Sequence, residues 1–332
     1  MELNELNSIF KKIKNLKILV VGDICTDVYW TCDMSKSVLS RETPFFPLPV
    51  VNEKISLGAG GNVINNLHSL GAKKFSVISV LGKDWRAELI KNELSKIGIS
   101  QNLIECEIDR LTNCYIKPMR KGYIETVEGE RIDFESSFTI RDDTEEKIIS
   151  NIIAEGNKAD VIIVADQFIY GTITDKIRLV LSDLGKNGKP VIVDSRMNID
   201  KYQNCILKPN EIECSRALNI KEAHADIDTY KKWAIELSKK QNSNICLTLG
   251  EKGAVTVQNS EINYINAINL DPPFDTVGAG DTFLAAFSLV YGVTKSMKTA
   301  AEVGCMASAV TVKKIGMTGT ASKEEILKLF DK

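Results

Sequence analysis

The amino-acid sequence predicts an α/β fold, with a central, mostly parallel sheet, helices on both faces and a small β lid. Between residues 145 and 193, strand-like and helix-like segments alternate with short connections, which is typical of parallel strands joined by right-handed crossovers. A glycine-rich turn leads into an apolar helix at residues 275–290. Residues 30–57 instead form short extended pieces broken by three prolines, which indicates strands that project from the main body.

Composition narrows the class of protein. The chain has 332 residues, 44% of them apolar and 26% charged, and we expect a single domain over residues 1–332. A net charge of −2 without a long basic run argues against nucleic acid or a membrane surface as the main partner. Eight scattered cysteines without a C-x-x-C pair, and a first segment without a secretory pattern, predict a cytoplasmic protein. With only two histidines, a histidine-rich metal site or a Ser-His-Asp triad is disfavoured.

The first predicted strand is followed by two acidic residues. Residues 17–21 (KILVV) have a buried-strand pattern, and Asp23 and Asp27 come after it. Acidic groups just past the carboxyl end of a strand lie where open α/β sheets bind ligands. Taken alone, each of the two is more simply interpreted as a turn residue.

A second glycine-rich segment, residues 57–63 (LGAGGNV), opens a helix that ends near Gly71. Such a turn allows the backbone to approach a ligand closely, and the amide of Asn62 offers a donor and an acceptor to a hydroxyl group. Residues 75–81 then predict a strand and residues 85–97 an amphipathic helix.

Residues 112–135 alternate like the strands of a two-sided ribbon. The ribbon carries several basic side chains, which on an exposed ribbon usually protect its edges. These side chains are Lys117, Arg120, Lys121 and Arg131.

The later strands also end in polar residues. Asp166 and Asp194 follow predicted strands, and each is either a helix cap or a ligand group at the shared edge of the sheet. In residues 208–213 (KPNEIE), Asn210 caps a helix and leaves Glu213 in its first turn, which by itself is unremarkable.

Two common nucleotide-binding motifs are missing from the sequence. The strand at residues 245–249 leads into a glycine turn at residues 250–254, but no glycine precedes Lys-Ser or Lys-Thr at Walker spacing. No G-x-G-x-x-G opens a helix either. A P-loop enzyme and a nicotinamide-dependent oxidoreductase therefore lose their main support.

The segment with the strongest chemical signal is DTVGAGDTF, residues 275–283. Its glycines permit a tight turn, and the free amides of residues 277–280, together with the helix dipole, predict a pocket for an anion such as a phosphoryl oxygen. A carboxylate beside that pocket is unfavourable unless Asp281 acts as a base toward a hydroxyl that attacks the bound phosphoryl group. The alternative is that Asp281 merely caps the helix.

This segment resembles the signature of the PfkB, or ribokinase-like, carbohydrate kinases, and the likeness covers nearly the whole chain. The resemblance implies a ribokinase-like fold and an ATP-dependent sugar kinase that uses Mg²⁺. It makes Asp281 the base that deprotonates the sugar hydroxyl. It also assigns an anion hole to Gly278, Ala279 and Gly280.

The same resemblance assigns further residues to the ligands. Glu213, with Asn210, would organise magnesium and its waters. The positions assigned to the sugar are Asp27, Gly58, Gly60, Gly61 and Asn62. The positions assigned to the nucleotide are Asn210, Thr248, Gly250, Gly253 and Cys305. In the sugar loop, Ala59 stands where the family has a second glycine.

The run T-x-x-x-x-K-x-x-R followed by ERIDFE is similar to the lid of the heptose-7-phosphate kinase branch, formally the D-glycero-β-D-manno-heptose-7-phosphate kinases. This similarity implies that Lys117, Arg120 and Arg131 hold a phosphate already present on the substrate. We expect lid segments at about residues 30–57 and 104–140, and a homodimer formed through this lid. Fructose, fructose phosphate, ribose or a nucleoside remain alternative acceptors, and a sensor without turnover is the alternative from another class.

Overall fold

Two β-sheets and ten helices make up the part of the chain that the computed structural model describes, residues 2–122, 124–316 and 318–330. The helices are α1 (Leu3–Ile13), α2 (Gly60–Ser69), α3 (Trp85–Lys96), α4 (Asp142–Lys158), α5 (Asp175–Lys186), α6 (Glu211–Ala217), α7 (Ile227–Gln241), α8 (Ala279–Thr294), α9 (Met297–Thr311) and α10 (Lys323–Phe330). The strands are β1 (Lys17–Gly22), β2 (Ile24–Asp33), β3 (Val50–Ala59), β4 (Lys74–Gly82), β5 (Ile104–Glu107), β6 (Cys114–Lys121), β7 (Thr126–Glu128), β8 (Ile132–Phe134), β9 (Val161–Asp166), β10 (Val191–Ser195), β11 (Ile206–Leu207), β12 (Asn244–Thr248), β13 (Ala254–Gln258) and β14 (Glu261–Ile265).

The large sheet has nine strands in the order β14-β13-β12-β11-β10-β9-β1-β4-β5. All neighbouring pairs are parallel except β12–β13 and β13–β14. Helices α1, α2, α3, α8, α9 and α10 pack on one face, and α4 to α7 pack on the other. Because both faces are covered, central strands such as β9 are apolar and buried along their whole length. The predicted α/β fold with a mostly parallel sheet is confirmed.

Short polar side chains fix where several helices begin. Asp84, Thr174 and Asp226 each accept a hydrogen bond from the amide three residues later, at the starts of α3, α5 and α7. These caps satisfy amides that the helix itself leaves unpaired, so each helix starts at a defined distance from the preceding strand. None of the described helices combines the length and the apolar character that a membrane span requires.

The small sheet, here called the lid, has the order β3-β2-β6-β7, and β8 also pairs with β6. On one face, Val28, Cys114 and Ile116 form a small apolar cluster against α3. The other face of the lid carries most of those polar lid side chains that are discussed below.

The lid differs from its predicted boundaries at two places. It begins at Ile24 rather than near residue 30, because β2 continues almost directly from β1. The segment 104–107 is not part of the lid, since β5 pairs in parallel with β4 at the edge of the large sheet.

A close backbone contact marks the point where the chain passes from the large sheet to the lid. Asp23 is the single residue between β1 and β2, and Gly22 before it has a φ of 138°. A Cβ atom on Gly22 would overlap the carbonyl oxygen of Ala165 on the neighbouring strand β9. Only glycine therefore allows the chain to leave the large sheet here and enter the lid at once.

Asp23 anchors the loop that follows β9. Its carboxylate accepts hydrogen bonds from the backbone amides of Gln167 (2.8 Å), Phe168 (2.8 Å) and Thr172 (2.6 Å). Burial, together with the nearby charge of Asp166, raises the pKa of Asp23 to about 6 in spite of these bonds. Asp23 is thus a structural residue at the junction of sheet and lid.

We expect Gly22→Ala to lower the free energy of unfolding much more than Gly71→Ala. Both glycines have positive φ, but a Cβ atom on Gly71 would meet nothing within 4 Å. Gly71→Ala should cost about 1–2 kcal/mol from backbone strain alone, and Gly22→Ala should cost about 3 kcal/mol or more. Urea unfolding measures both. Equal losses would show that the contact with β9 does not constrain the chain.

Candidate active site

The candidate site lies where the carboxyl ends of the large sheet face the lid. Helix α8 begins at Ala279, and Gly278 before it adopts a left-handed conformation with φ 77°. A Cβ atom on Gly278 would lie 2.6 Å from Cγ2 of Thr318. Glycine at this position is therefore required both by conformation and by space, and the turn directs the first turn of α8, with Asp281, toward the cleft.

Asp281 is held by a neutral partner. Nδ2 of Asn62 donates a hydrogen bond to Oδ2 of Asp281 at 2.9 Å. Within the described residues, no cation lies within 4 Å of this carboxylate, since the nearby lysines pair with other acids. Burial, reinforced by the charge of Asp194, raises the pKa of Asp281 to about 7, against the opposing effects of Asn62 and Lys208. A carboxylate with a pKa near the working pH is a suitable general base.

The amides before Asp281 are only partly free. The amide of Val277 donates to Oδ1 of Asp275 at 3.0 Å, and the amide of Ala279 donates to the carbonyl three residues earlier at 3.2 Å. Among the residues that the structure describes, the amides of Gly278 and Gly280 have no such partner. Two of the four predicted amides are thus already used to close the turn. Gly278 and Gly280 remain available to an anion.

A buried ion pair lies on the sheet side of the cleft. Nζ of Lys208 is 3.3 Å from Oδ2 of Asp194, and both side chains are nearly inaccessible to solvent. Burial would lower the pKa of Lys208, but Asp194 and Glu213 outweigh this and raise it, so the lysine stays charged. Sequence reasoning missed Lys208. The available signal was a single lysine directly after a buried strand and next to the Asn210 motif.

Asn210 and Glu213 form a reciprocal cap at the start of α6. The amide of Glu213 donates to Oδ1 of Asn210, and the amide of Asn210 donates to Oε2 of Glu213, both at 2.8 Å. Burial and the charge of Asp194 raise the pKa of Glu213 to about 7. The unremarkable interpretation of this segment as a helix cap is therefore correct for its backbone. One carboxylate oxygen of Glu213 remains outside the cap.

The acids near Lys208 are suitable for a hard divalent cation. Asp194 and Glu213 supply carboxylate oxygens, which Mg²⁺ prefers. The described ranges contain no group of three or more side chains that could hold a metal ion on their own. This donor set fits Mg²⁺ bound mainly by phosphates and water, with Asp194 and Glu213 as outer partners.

Asp27 lies inside strand β2, not in a turn as its sequence context suggested. Nζ of Lys117 is 3.0 Å from its Oδ1 and also donates to the hydroxyl of Tyr29 at 3.2 Å. A Cβ atom on Gly58 would come within 2.8 Å of Oδ2 of Asp27. Asn62, which bonds Asp281, follows Gly58 by four residues, so the same segment lies beside both carboxylates.

The predicted sugar loop is shaped by close packing. A Cβ atom on Gly60 would lie 2.6 Å from the carbonyl oxygen of Asp23, and one on Gly61 would lie 2.5 Å from Cβ of Leu57. Both glycines are therefore required by the fold, and their contact with a sugar stays a prediction. Asn62, in the same first turn of α2, reaches Asp281.

The structure separates the three predicted lid cations. Arg131 binds Asp133 with both Nε and Nη2, each at 2.6 Å, and its charge reaches Asp27. Arg120 follows Lys117 by three positions on β6, so it points to the opposite face of the strand, where it bonds Glu130 at 3.1 Å. Lys117 and Arg131 thus share the cleft face, and Arg120 does not.

On the nucleotide side, Gly250 and Gly253 have φ values of 56° and 92°, and a Cβ atom on Gly253 would overlap the carbonyl oxygen of Ile265. Thr248 ends β12 and bridges to Asn210. Cys305 lies on α9 and is buried in the core, and burial raises the pKa of its thiol to about 12. The contacts of these residues with a nucleotide stay predictions.

We expect Asp281→Asn to be more stable than the parent protein at pH 8 and equally stable at pH 4. A carboxyl group whose pKa is raised by folding adds stability below its unfolded pKa of about 4, and that stability is lost as the pH rises through about 7. The difference at pH 8 should be on the order of 2 kcal/mol. Urea unfolding at both values measures it.

Asp226→Asn is the matched control. The hydrogen bonds from Thr229 lower the pKa of Asp226, so the sign is reversed and this variant should not gain stability at pH 8. A gain of the same size in both variants would mean that removing any negative charge, and not burial at Asp281, is responsible.

Comparisons with known proteins agree with this geometry. The model of the pfkB family carbohydrate kinases matches residues 16–324. The chain is 33% identical over 325 residues to the bifunctional protein HldE of Campylobacter curvus, covering 96% of this chain and 65% of that protein. It is also 33% identical over 322 residues to the protein of the same name from Aliarcobacter butzleri, covering 94% and 64%. The chain thus spans slightly less than two thirds of the length of these relatives.

Solved structures share the fold. Phosphofructokinase-2 from Escherichia coli in complex with potassium has a TM-score of 0.77 at 17% identity, covering 95% of this chain and 98% of that one. Arabidopsis thaliana ribokinase complexed with ribose and ATP has a TM-score of 0.70 at 21% identity, covering 96% and 99%. The ribokinase-like architecture expected from the sequence is confirmed.

Proposed function

The chain belongs to the pfkB family of carbohydrate kinases, and we propose that it transfers the γ-phosphoryl group of ATP to a hydroxyl of a sugar phosphate similar to heptose 7-phosphate. The observation that carries this proposal is the carboxylate of Asp281. It has no cation partner within the described residues, its pKa is raised to about 7, and the free amides of Gly278 and Gly280 lie beside it.

Asp281 accepts the proton of the acceptor hydroxyl as that oxygen attacks the phosphorus. The hydrogen bond from Asn62 fixes the carboxylate, so that one oxygen is oriented and the other is left for the hydroxyl. The amides of Gly278 and Gly280, at the positive end of the α8 dipole, bind the oxygens of the migrating phosphoryl group. Proton acceptor and anion site are therefore supplied by one turn of the backbone.

Charge near the nucleotide phosphates is balanced by residues of the large sheet. Lys208 contributes a buried positive charge that Asp194 holds in place. Mg²⁺, when bound with the nucleotide, supplies further positive charge, and Asp194 and Glu213 would hold its waters. The Asn210–Glu213 cap keeps that carboxylate at the start of α6.

The lid orients the acceptor and excludes water. Asp27 accepts hydrogen bonds from sugar hydroxyls, and the ion pair with Lys117 holds its carboxylate in position. Closure of the lid over the large sheet would remove water, which otherwise competes with the sugar as an acceptor. A sugar phosphate is favoured among acceptors because the lid sequence resembles that of heptose-7-phosphate kinases and presents lysines to the cleft.

We expect Asp281→Asn to lower kcat by about 10²–10⁴-fold, because the acceptor loses its general base. In the parent enzyme, kcat/KM should fall below a pH of about 7, since only the ionised carboxylate accepts the proton. ADP release, measured with Mg-ATP over heptose 7-phosphate, fructose 6-phosphate, fructose and ribose, tests both effects.

Asp226→Asn is the control for this experiment and should keep parent activity, because Asp226 is an exposed cap at the start of α7. Nucleotide and sugar binding without ADP release from any acceptor would favour the sensor. An Asp281→Asn variant as active as its parent would refute the kinase mechanism.

We also propose that two copies of the chain pair through the lid. Between residues 38 and 51 the lid exposes large apolar side chains, each at least 45% exposed. Exposed apolar groups concentrated in one short segment are unfavourable in water. In a dimer with a two-fold axis, this surface on one copy covers the same surface on the other copy. These side chains are Val38, Leu39, Phe45, Phe46, Val50 and Val51.

We expect the double variant Phe45→Ser/Phe46→Ser to be monomeric at concentrations at which the parent is a dimer. Sedimentation velocity measures the change. The matched control is Ile169→Ser. Ile169 is exposed and lies after β9, outside the lid, so this variant should keep the oligomeric state of the parent. A parent that sediments as a monomer, or a dimer that persists in the double variant, would refute pairing through this segment.

A further inference from the structure

We propose that Lys54 and Lys117, on either side of Tyr29, form the site that binds the phosphate group of the acceptor sugar. This inference rests on the proposed function and locates the part of the substrate that the catalytic residues do not touch. The three residues form one row across the lid: Tyr29 on β2 pairs with Lys54 on β3 and with Lys117 on β6. We call them the lysine row.

All three side chains of the lysine row face the cleft. Nζ of Lys117 bonds both Asp27 and Tyr29, and its position over the Tyr29 ring, 4.8 Å from the centroid, places the three on one face. Residues directly opposite each other in an antiparallel pair project to the same side, so Lys54 joins Tyr29. The neighbouring Glu53 confirms the alternation, because it accepts from Nε1 of Trp30, which packs against the apolar cluster on the other face.

The lysine row has hydrogen-bond donors to spare. Lys54 is exposed and has no carboxylate within 4 Å among the residues that the structure describes. An ammonium group has three protons, and Lys117 uses one on Asp27 and one on Tyr29. The Tyr29 hydroxyl accepts from Lys117, so its own proton is free for a phosphate oxygen.

The other lid cations are less available. Arg131 has two of its donors on Asp133, and Arg120 faces away and bonds Glu130. Each of these guanidinium groups is therefore neutralised by a carboxylate that a phosphate would have to displace. The lysine row offers positive charge without that competition at Lys54.

The backbone of the lysine row is separated from that of Asp27 along the strand. Asp27 and Tyr29 are two positions apart on β2, which separates their rows by about 7 Å. This span is comparable to a six-membered sugar ring. Because Lys117 itself reaches back to within 3.0 Å of Asp27, a sugar whose hydroxyls bond Asp27 would place its phosphate at the Lys54 end of the lysine row.

The test compares phosphorylated and unphosphorylated forms of the same sugar. Lys54→Met should raise KM for heptose 7-phosphate or fructose 6-phosphate by about 10- to 100-fold, the effect of losing a hydrogen bond between charged groups. It should leave kcat nearly unchanged, because the contact is the same in ground and transition states. KM for the unphosphorylated sugars, heptose and fructose, should not change.

Two further variants sharpen the comparison. Lys36→Met is the matched control, since Lys36 is an exposed lid lysine outside the row, paired with Asp33, and its KM values should equal those of the parent. Tyr29→Phe should weaken binding of the phosphorylated sugar by a smaller factor. The preference for the phosphorylated sugar should also decrease with ionic strength, and more steeply in the parent than in Lys54→Met, which keeps only Lys117.

Binding measured by calorimetry separates the two hypotheses. One outcome supports the lysine row and refutes the kinase proposal. In this outcome no acceptor releases ADP, but heptose 7-phosphate or fructose 6-phosphate still binds the parent protein about 10-fold or more tighter than the unphosphorylated sugar does. The variant Lys54→Met then loses this preference. If the parent protein turns over sugars and Lys54→Met affects both forms equally, or neither, the lysine row is refuted and the kinase proposal stands. A parent protein with no preference for either phosphorylated sugar also refutes the row.

Discussion

The candidate site depends on one constraint. The carboxylate of Asp281 has to stay without a salt bridge in a cleft that contains two lysines. Lys208 is committed to Asp194 and Lys117 to Asp27, so neither neutralises Asp281 directly. A direct ion pair would lower the pKa of Asp281 and make it a weaker base. The hydrogen bond from the neutral amide of Asn62 orients the carboxylate with a smaller loss of basicity. The pairing of each lysine with another acid is therefore part of what keeps Asp281 basic.

The geometry of the cleft follows from how the chain passes between the two sheets. Because one residue separates β1 from β2, Asp27 is carried on a strand that starts at the edge of the large sheet. The close contact of Gly22 with β9, and of Gly60 with the carbonyl of Asp23, leaves little freedom at this junction. Asp27 and Asn62, which follow this junction in the chain, are thus anchored close to it. The outer part of the lid, with the lysine row, lies further from the junction.

Much of the fold and part of the site could be predicted from the sequence. Apolar runs such as β9 identify buried parallel strands, and the glycines around residue 278 identify a turn that only glycine can make. Taken alone, the spacing indicates a turn at Asp27, because β2 begins so soon after β1 that the usual signs of a connection are missing. The face on which Arg120 and Lys117 lie depends on strand pairing, which spacing in the sequence does not define. Lys208 was missed because a single lysine beside a buried strand is usually a surface residue.

The charges of the cleft explain why the phosphate of an acceptor would be bound at a distance from Asp281. The cleft contains four acids and the lysines of two ion pairs. Two of these acids have pKa values of about 7, so the site already carries as much negative charge as it can hold without taking up protons. A second phosphate close to Asp281 would raise its pKa further and leave it protonated at neutral pH. At the Lys54 end of the lysine row, whose backbone is about 7 Å from that of Asp27 along the strand, that charge would meet a cation and solvent instead. The base can then remain ionised while the acceptor is bound.

The four acids of the cleft are Asp27, Asp194, Glu213 and Asp281, and its two paired lysines are Lys117 and Lys208. Since the lysines offset only two of the four carboxylates, the proposed mechanism requires further positive charge to accompany the nucleotide phosphates beside the glycine turn. Until then Asp281 and Glu213 keep protons for part of the time at neutral pH, which limits the repulsion inside the cleft. Positive charge near the cleft would lower both pKa values and favour the ionised forms, so that a larger fraction of Asp281 would be free to accept a proton, although each carboxylate would be a weaker base. In the proposed mechanism, the same arrangement that makes the resting cleft unfavourable to an anion would therefore couple the protonation state of Asp281 to the binding of the nucleotide.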